Sequence, residues 1–260
     1  MNIVILAGGL GTRISEETEN KPKPMVLLDD MPILWHLMSI FSKQGYDEFV
    51  LALGYRGDVV KRWLFDLNDI QGNLKINTAT KQVQYIGDKT TNSWSVTALD
   101  TGLSTQTGGR IAQCMRVLPG QTVIATYGDG LANISISSLL NFHRSHGKLA
   151  TVTAVRPPAR FGHLEIKNGS VEHFGEKNQS DAGWINGGFF VLEPKVVDYI
   201  FSDDEPFESG ALPRLVSENQ LGAYCHEGFW QPMDTLRERN DLARMANLNP
   251  PPWLTNISGN

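Results

Sequence analysis

The feature that most limits the fold comes first in the chain. It is an apolar run, Ile3 to Leu6, that stops abruptly in Ala7-Gly-Gly-Leu-Gly-Thr-Arg13. So short and uniform a run suits a strand buried on both faces, as strands of a parallel sheet are. Residues 32–44 then open on Pro32, carry apolar side chains at helical spacing and stop at Gly45. Glu48 to Leu53 reads as a second buried strand and residues 57–68 as a second helix. This βαβα alternation predicts an α/β fold: a Rossmann-like, mostly parallel sheet flanked by helices.

The rest of the chain continues the pattern less regularly. Residues 70–98 are polar and rich in Asn, Thr and Gln, with weak alternation at Lys81 to Ile86, and read as a peripheral insertion of one strand and a long loop. Gly108 to Leu118 reads as a helix, and Gln121 to Thr126 as a strand that delivers Tyr127-Gly-Asp-Gly130. Ser135 is a candidate N-cap for a helix ending at His146. Strands are expected at 149–155, 163–166, 171–174 and 184–192, and helices at 194–201, 207–219 and 235–247. The tail 249–260 has three consecutive prolines and little apolar material, and is expected on the surface.

Charge and cysteine content exclude several classes. The net charge of −5 argues against a general nucleic-acid binder. No apolar run approaches the length of a membrane span, and the N-terminus lacks a basic, uninterrupted signal segment. A cytoplasmic protein is expected. The two cysteines, Cys114 and Cys225, form no C-x-x-C pair and read as reduced thiols. The six histidines show no zinc-ligand spacing, and there is no Gly-x-Ser-x-Gly elbow.

Five motifs remain with chemistry in them. Glycines after a strand let backbone N–H groups close around phosphate oxygens, and Arg13 adds a charged fork. The spacing fits neither a Walker loop nor G-x-G-x-x-G, and a plain strand-to-helix turn would also satisfy it. Lys21-Pro-Lys-Pro-Met25 places Lys23 on a stiff segment close behind that loop, where it could neutralise phosphate charge or simply be exposed. Asp129 follows a strand, where ligands of open α/β sheets bind; it suits Mg²⁺, or a common Asp-Gly turn. Asp234 in Phe229-Trp-Gln-Pro-Met-Asp-Thr235 could be a second metal carboxylate or a helix cap. Further along, Phe174-Gly-Glu-Lys177 and Trp184-Ile-Asn-Gly-Gly188 could hold a sugar and its phosphate, or form a hairpin with a surface ion pair.

Together and in this order, AGGLGTR, SEET, KPKPM, PILWH, DTG, TGGR, TYGDG, RFG, INGGFFVL and FWQPMDTLR resemble the glucose-1-phosphate cytidylyltransferases, a branch of the sugar-nucleotidyltransferase superfamily. The resemblance runs from Ile3 to about Leu242. It implies transfer of the cytidylyl group of CTP to glucose 1-phosphate by direct in-line attack, with Mg²⁺ as cofactor. By resemblance, Leu6, Ala7, Gly8, Gly9, Leu10, Gly11, Thr12, Arg13, Lys23, Thr105, Arg110 and Gly128 face the nucleotide, with Arg13 and Lys23 catalytic. Tyr127, Glu176, Lys177, Asn186 and Gly187 face the sugar phosphate, and Asp129 and Asp234 hold the metal. One domain is implied over 1–248, nucleotide-binding mainly in 1–130 and sugar-binding in 131–248. A homo-oligomer is also implied, since hexamers occur in the family. The chain departs from the family at Glu176-Lys-Asn178, where EKP is usual, and over 70–98. The alternatives are a transferase for UTP, dTTP or another hexose 1-phosphate, and a non-catalytic nucleotide-sugar-binding subunit.

Overall fold

The computed structural model describes residues 1–9, 11, 14–70, 73–86, 93–157, 162–167, 170–176 and 183–257. Seven strands make the central sheet: β1 (Asn2–Leu6), β2 (Glu48–Leu53), β3 (Ser95–Asp100), β4 (Val123–Tyr127), β5 (Ala150–Val155), β6 (Ile185–Leu192) and β7 (Leu221–His226). Their order is β7-β5-β6-β4-β1-β2-β3. Every neighbouring pair is parallel except those of β6, which runs antiparallel to both β4 and β5.

The helices are α1 (Ser15–Thr18), α2 (Ile33–Ser42), α3 (Gly57–Ile70), α4 (Thr107–Arg116), α5 (Ile136–His146), α6 (Ala211–Ser217) and α7 (Leu236–Ala246). Two cores follow from the period-two alternation of the strands. Ile3, Ile5, Phe49, Leu51 and Ile124 point to one face, where α2, α3, α5 and α7 cover them. Val4, Val50, Val123, Ala125 and Phe190 point to the other, under α4 and α6. Each fully buried Leu, Ile or Phe contributes about 1.5–3 kcal/mol, so both layers are needed. Ser135 caps α5 as expected, its hydroxyl accepting from Ser138 N at 3.3 Å. Among the described residues, no helix is long and apolar enough to cross a membrane.

The structure corrects the sequence reading in four places. The 70–98 segment holds a hairpin, Asn73–Asn77 with Gln82–Ile86, and not a single strand. Its end, Ser95–Asp100, is β3 of the central sheet, paired in parallel with β2. Leu221–His226, read as no strand, is β7. The expected helix 207–219 shortens to Ala211–Ser217, and 194–201 is a 3₁₀ turn, Pro194–Tyr199. The tail is not superficial: Trp253 is fully buried, edge-on to His36 at 5.3 Å and 6.1 Å from Phe229. The prolines lay the tail back along the body, and the one large apolar side chain among them fills the gap under α2.

Candidate active site

The sheet order reverses between β1 and β4: from β1 the chain winds outward to β2 and β3, then returns to β4 on the other side. Loops leaving two such strands diverge and leave a crevice at their carboxyl ends. A cleft of about 1040 Å³ opens there. Its lining includes Gly8, Gly9 and Gly11 after β1, and Tyr127, Gly128 and Asp129 after β4.

The glycine loop is bound tightly to its surroundings. Tyr55 N donates to Gly8 O at 3.1 Å, and Gly128 N to Leu6 O at 3.1 Å. A Cβ on Gly8 would stand 2.3 Å from Arg110 Nη1 and 2.8 Å from Gly54 N, so no larger residue fits. Arg110 itself is 4% exposed. Its guanidinium donates to Gly8 O at 3.1 Å, to Leu53 O at 3.0 Å and to Thr101 Oγ1. Desolvation lowers its pKa, with Asp100 and Cys114 opposing. Arg110 therefore supports the loop from beneath, with a surface on the cleft. Thr105 lines the cleft with its hydroxyl committed to Thr101 O.

Lys23 lies in a 3₁₀ turn between Pro22 and Pro24, which hold it in place. Its Nζ is 2.7 Å from Asp129 Oδ2 and 2.7 Å from Asp234 Oδ1. Burial acts to lower its pKa, but the carboxylates of Asp129 and Asp234 outweigh it, and the net shift is upward. The two aspartates come from distant parts of the chain. A short ribbon pairs Gly130–Ala132 with Trp230–Pro232, and Met233 N donates to Asp129 O at 2.9 Å. Glu238 Oε2 then accepts from Asp234 N at 2.8 Å and Thr235 N at 3.0 Å. Thr235, not Asp234, caps α7, in a capping box with Glu238. Asp234 is left to face the cleft.

Tyr127, Asn186, Gly187 and Gly188 also line the cleft. Gly188 has φ +80, and a Cβ there would lie 2.5 Å from the Tyr127 ring. Trp230 Nε1 donates to Gly187 O at 2.8 Å, tying the aspartate ribbon to β6. Glu208 and Trp230 also line the cleft, and neither was foreseen as a site residue. Glu208 accepts from the Tyr127 hydroxyl and, at 2.7 Å, from Thr107 Oγ1. Trp230 was visible only as one aromatic of the Phe229–Thr235 string. Leu10, Thr12, Arg13 and Lys177 lie outside the described residues. Glu176 ends the strand Ser170–Glu176, which pairs with Gly162–Lys167. Ala7 is buried behind the loop and does not line the cleft. Cys114 is a packing residue whose thiol burial pushes up to about 12.

A glycine-walled cleft at the switch point, with a lysine between two carboxylates, defines a phosphate-handling α/β enzyme. A family profile described as Nucleotidyl transferase matches residues 2–236, and the chain belongs to that family. Within it, the chain is 43% identical over 256 residues to glucose-1-phosphate cytidylyltransferase of Salmonella typhimurium, covering 98% of this chain and 99% of that one. It is 41% identical to the probable glucose-1-phosphate cytidylyltransferase of Bacillus subtilis, covering 97% and 99%. The fold is similar to that of HddC from Yersinia pseudotuberculosis complexed with GMP-PN, at TM-score 0.68 and 22% identity over 94% of this chain and 98% of that one. It is also similar to a putative glucose-1-phosphate thymidylyltransferase from Bacillus anthracis, at TM-score 0.66 and 19% identity over 95% and 97%.

Proposed function

We propose that this enzyme transfers the cytidylyl group of CTP to α-D-glucose 1-phosphate, releasing CDP-glucose and pyrophosphate. The observation that carries the reading is identity of 43% along 98% of the chain to a glucose-1-phosphate cytidylyltransferase. The cleft supplies chemistry of the right kind. A phosphate oxygen of the sugar phosphate attacks the α-phosphorus of CTP; the bond from that phosphorus to the bridging oxygen breaks, and pyrophosphate leaves with the electron pair. No side chain need be acylated or phosphorylated, so catalysis is positioning and charge neutralisation. The backbone of Gly8 to Gly11 receives the phosphates, Lys23 balances the charge of the leaving pyrophosphate, and Arg13 assists from the same loop. Tyr127, Asn186 and Gly187, with Glu176 and Lys177, hold the sugar phosphate.

Asp129 and Asp234 fit a divalent cation. Their Oδ atoms converge on one cationic centre, each 2.7 Å from Lys23 Nζ, and hard carboxylate oxygens are the donors that Mg²⁺ prefers. When bound, Mg²⁺ would neutralise phosphate oxygens that these carboxylates cannot approach alone. We infer further that the domain spans residues 1–248 and works as a homo-oligomer.

The test is pyrophosphate release from glucose 1-phosphate with CTP, UTP, dTTP, ATP and GTP in parallel. CTP is expected to give the highest kcat/KM. A better donor among the others would sink the cytidylyl assignment while leaving the family assignment standing.

A further inference from the structure

Glu208 is a carboxylate on the wall of a cleft built for phosphates, and it needs an account. It sits in the loop just before α6 and lines the cleft beside Tyr127 and Asn186. Both of its oxygens are engaged: one accepts from the Tyr127 hydroxyl, the other from Thr107 Oγ1 at 2.7 Å. Thr107 Oγ1 is itself fixed, accepting from Phe207 N at 2.8 Å. The carboxylate therefore has one orientation.

Two consequences follow for Tyr127. Its single hydroxyl proton points to Glu208, and its lone pairs face Asn186, whose Nδ2 lies 3.4 Å away. Burial and then the Glu208 charge hold the phenol pKa up, so the proton stays in place. Tyr127 is thus held by Glu208 as its acceptor and by Asn186 as its donor. Each carboxylate oxygen of Glu208 also keeps a second lone pair, which suits sugar hydroxyls.

The cleft wall carries both signs: Asp129 and Asp234 stand against Lys23, and Glu208 stands beside Tyr127. Among the described residues lining it, only Lys23 and Arg110 are cationic.

We propose that Glu208 determines sugar specificity, accepting hydroxyls of a neutral hexose and repelling sugars that carry a second negative charge, such as uronic acids. The inference rests on the sugar-phosphate reading of the site given above.

The experiment compares wild type, Glu208→Gln and Glu208→Ala with glucose 1-phosphate and glucuronic acid 1-phosphate at saturating CTP. KM for CTP and thermal midpoints are recorded alongside. Glu208→Gln keeps an oxygen for Tyr127 but loses the charge. It should narrow the preference for glucose 1-phosphate over glucuronic acid 1-phosphate by about tenfold or more. Glu208→Ala should raise KM for glucose 1-phosphate by about tenfold while KM for CTP stays within about twofold. An unchanged preference in Glu208→Gln overturns the proposal. So does a parallel rise in both KM values with a lower thermal midpoint, which would mark a folding role. Absence of wild-type turnover with any nucleotide overturns the functional reading and this proposal with it; an active wild type with unaltered variants overturns the proposal alone.

Discussion

Lys23 is 8% exposed and keeps its charge, because two carboxylates stand against it where burial alone would favour the neutral amine. Its folded pKa lies above the ordinary lysine value. The stability this adds is present in full below that value and is lost only as pH rises through the raised one. Lys23 therefore does not titrate near neutrality, and its work is electrostatic. Lys23→Ala and Asp129→Ala should each lower turnover by at least about tenfold, measured by pyrophosphate release, with near-UV circular dichroism unchanged. A folded Lys23→Ala enzyme with wild-type turnover would remove the lysine from the chemistry. Lys23 was legible in the sequence because flanking prolines restrict a chain whatever surrounds it. Glu208 was not. It falls at the start of a segment read as a helix, 207–219, where nothing local marks it, and it meets its partner across 81 positions. Arg110 was legible as a site residue, but its grip on Gly8 O and Leu53 O is a property of the folded loop alone.

Among the elements, α7 links folding to the site most directly. The sequence reading offers Asp234 as a cap for this helix; the cap is Thr235, in a capping box with Glu238. Its extra contact, Glu238 Oε2 accepting from Asp234 N, fixes the backbone of the carboxylate proposed as a metal ligand. Glu238→Ala should therefore do two things. It should lower the thermal midpoint by about 2–4 °C, as loss of a cap does in a chain this size. It should also raise the Mg²⁺ concentration needed for half-maximal activity, measured by titration of the metal. A lower midpoint with unchanged metal dependence would confine Glu238 to capping. The two strands of the central sheet missed by the sequence reading are both at its edges. β3 alternates exposed and half-buried residues, and β7 mixes Gly, Tyr, Cys and His. An edge strand has half its backbone paired and one neighbour to pack against, so its composition carries half the signal of β1 or β2.

For the whole molecule, the order β7-β5-β6-β4-β1-β2-β3 puts the switch point between the first strand and the fourth. The β1-β2 pair in that order was legible, since βαβ winding is right-handed and sequential strands sit side by side. The antiparallel β6 was not, because direction leaves no mark on an apolar run. The burial of Trp253 was equally hidden: a lone aromatic among prolines looks like a tail until the gap beneath α2 is known. Trp253→Ala should cost about 3–5 kcal/mol of unfolding free energy in urea titration. A loss below about 1 kcal/mol would mean that the tail merely rests on the body. The position of that indole also bears on how the protein is made in a cell. Synthesis delivers β1 and α2 early, but the plug that seals the space between His36 and Phe229 follows all seven strands of the central sheet. Until it leaves the ribosome, the nascent chain carries an open apolar seam, the kind of surface that chaperones bind.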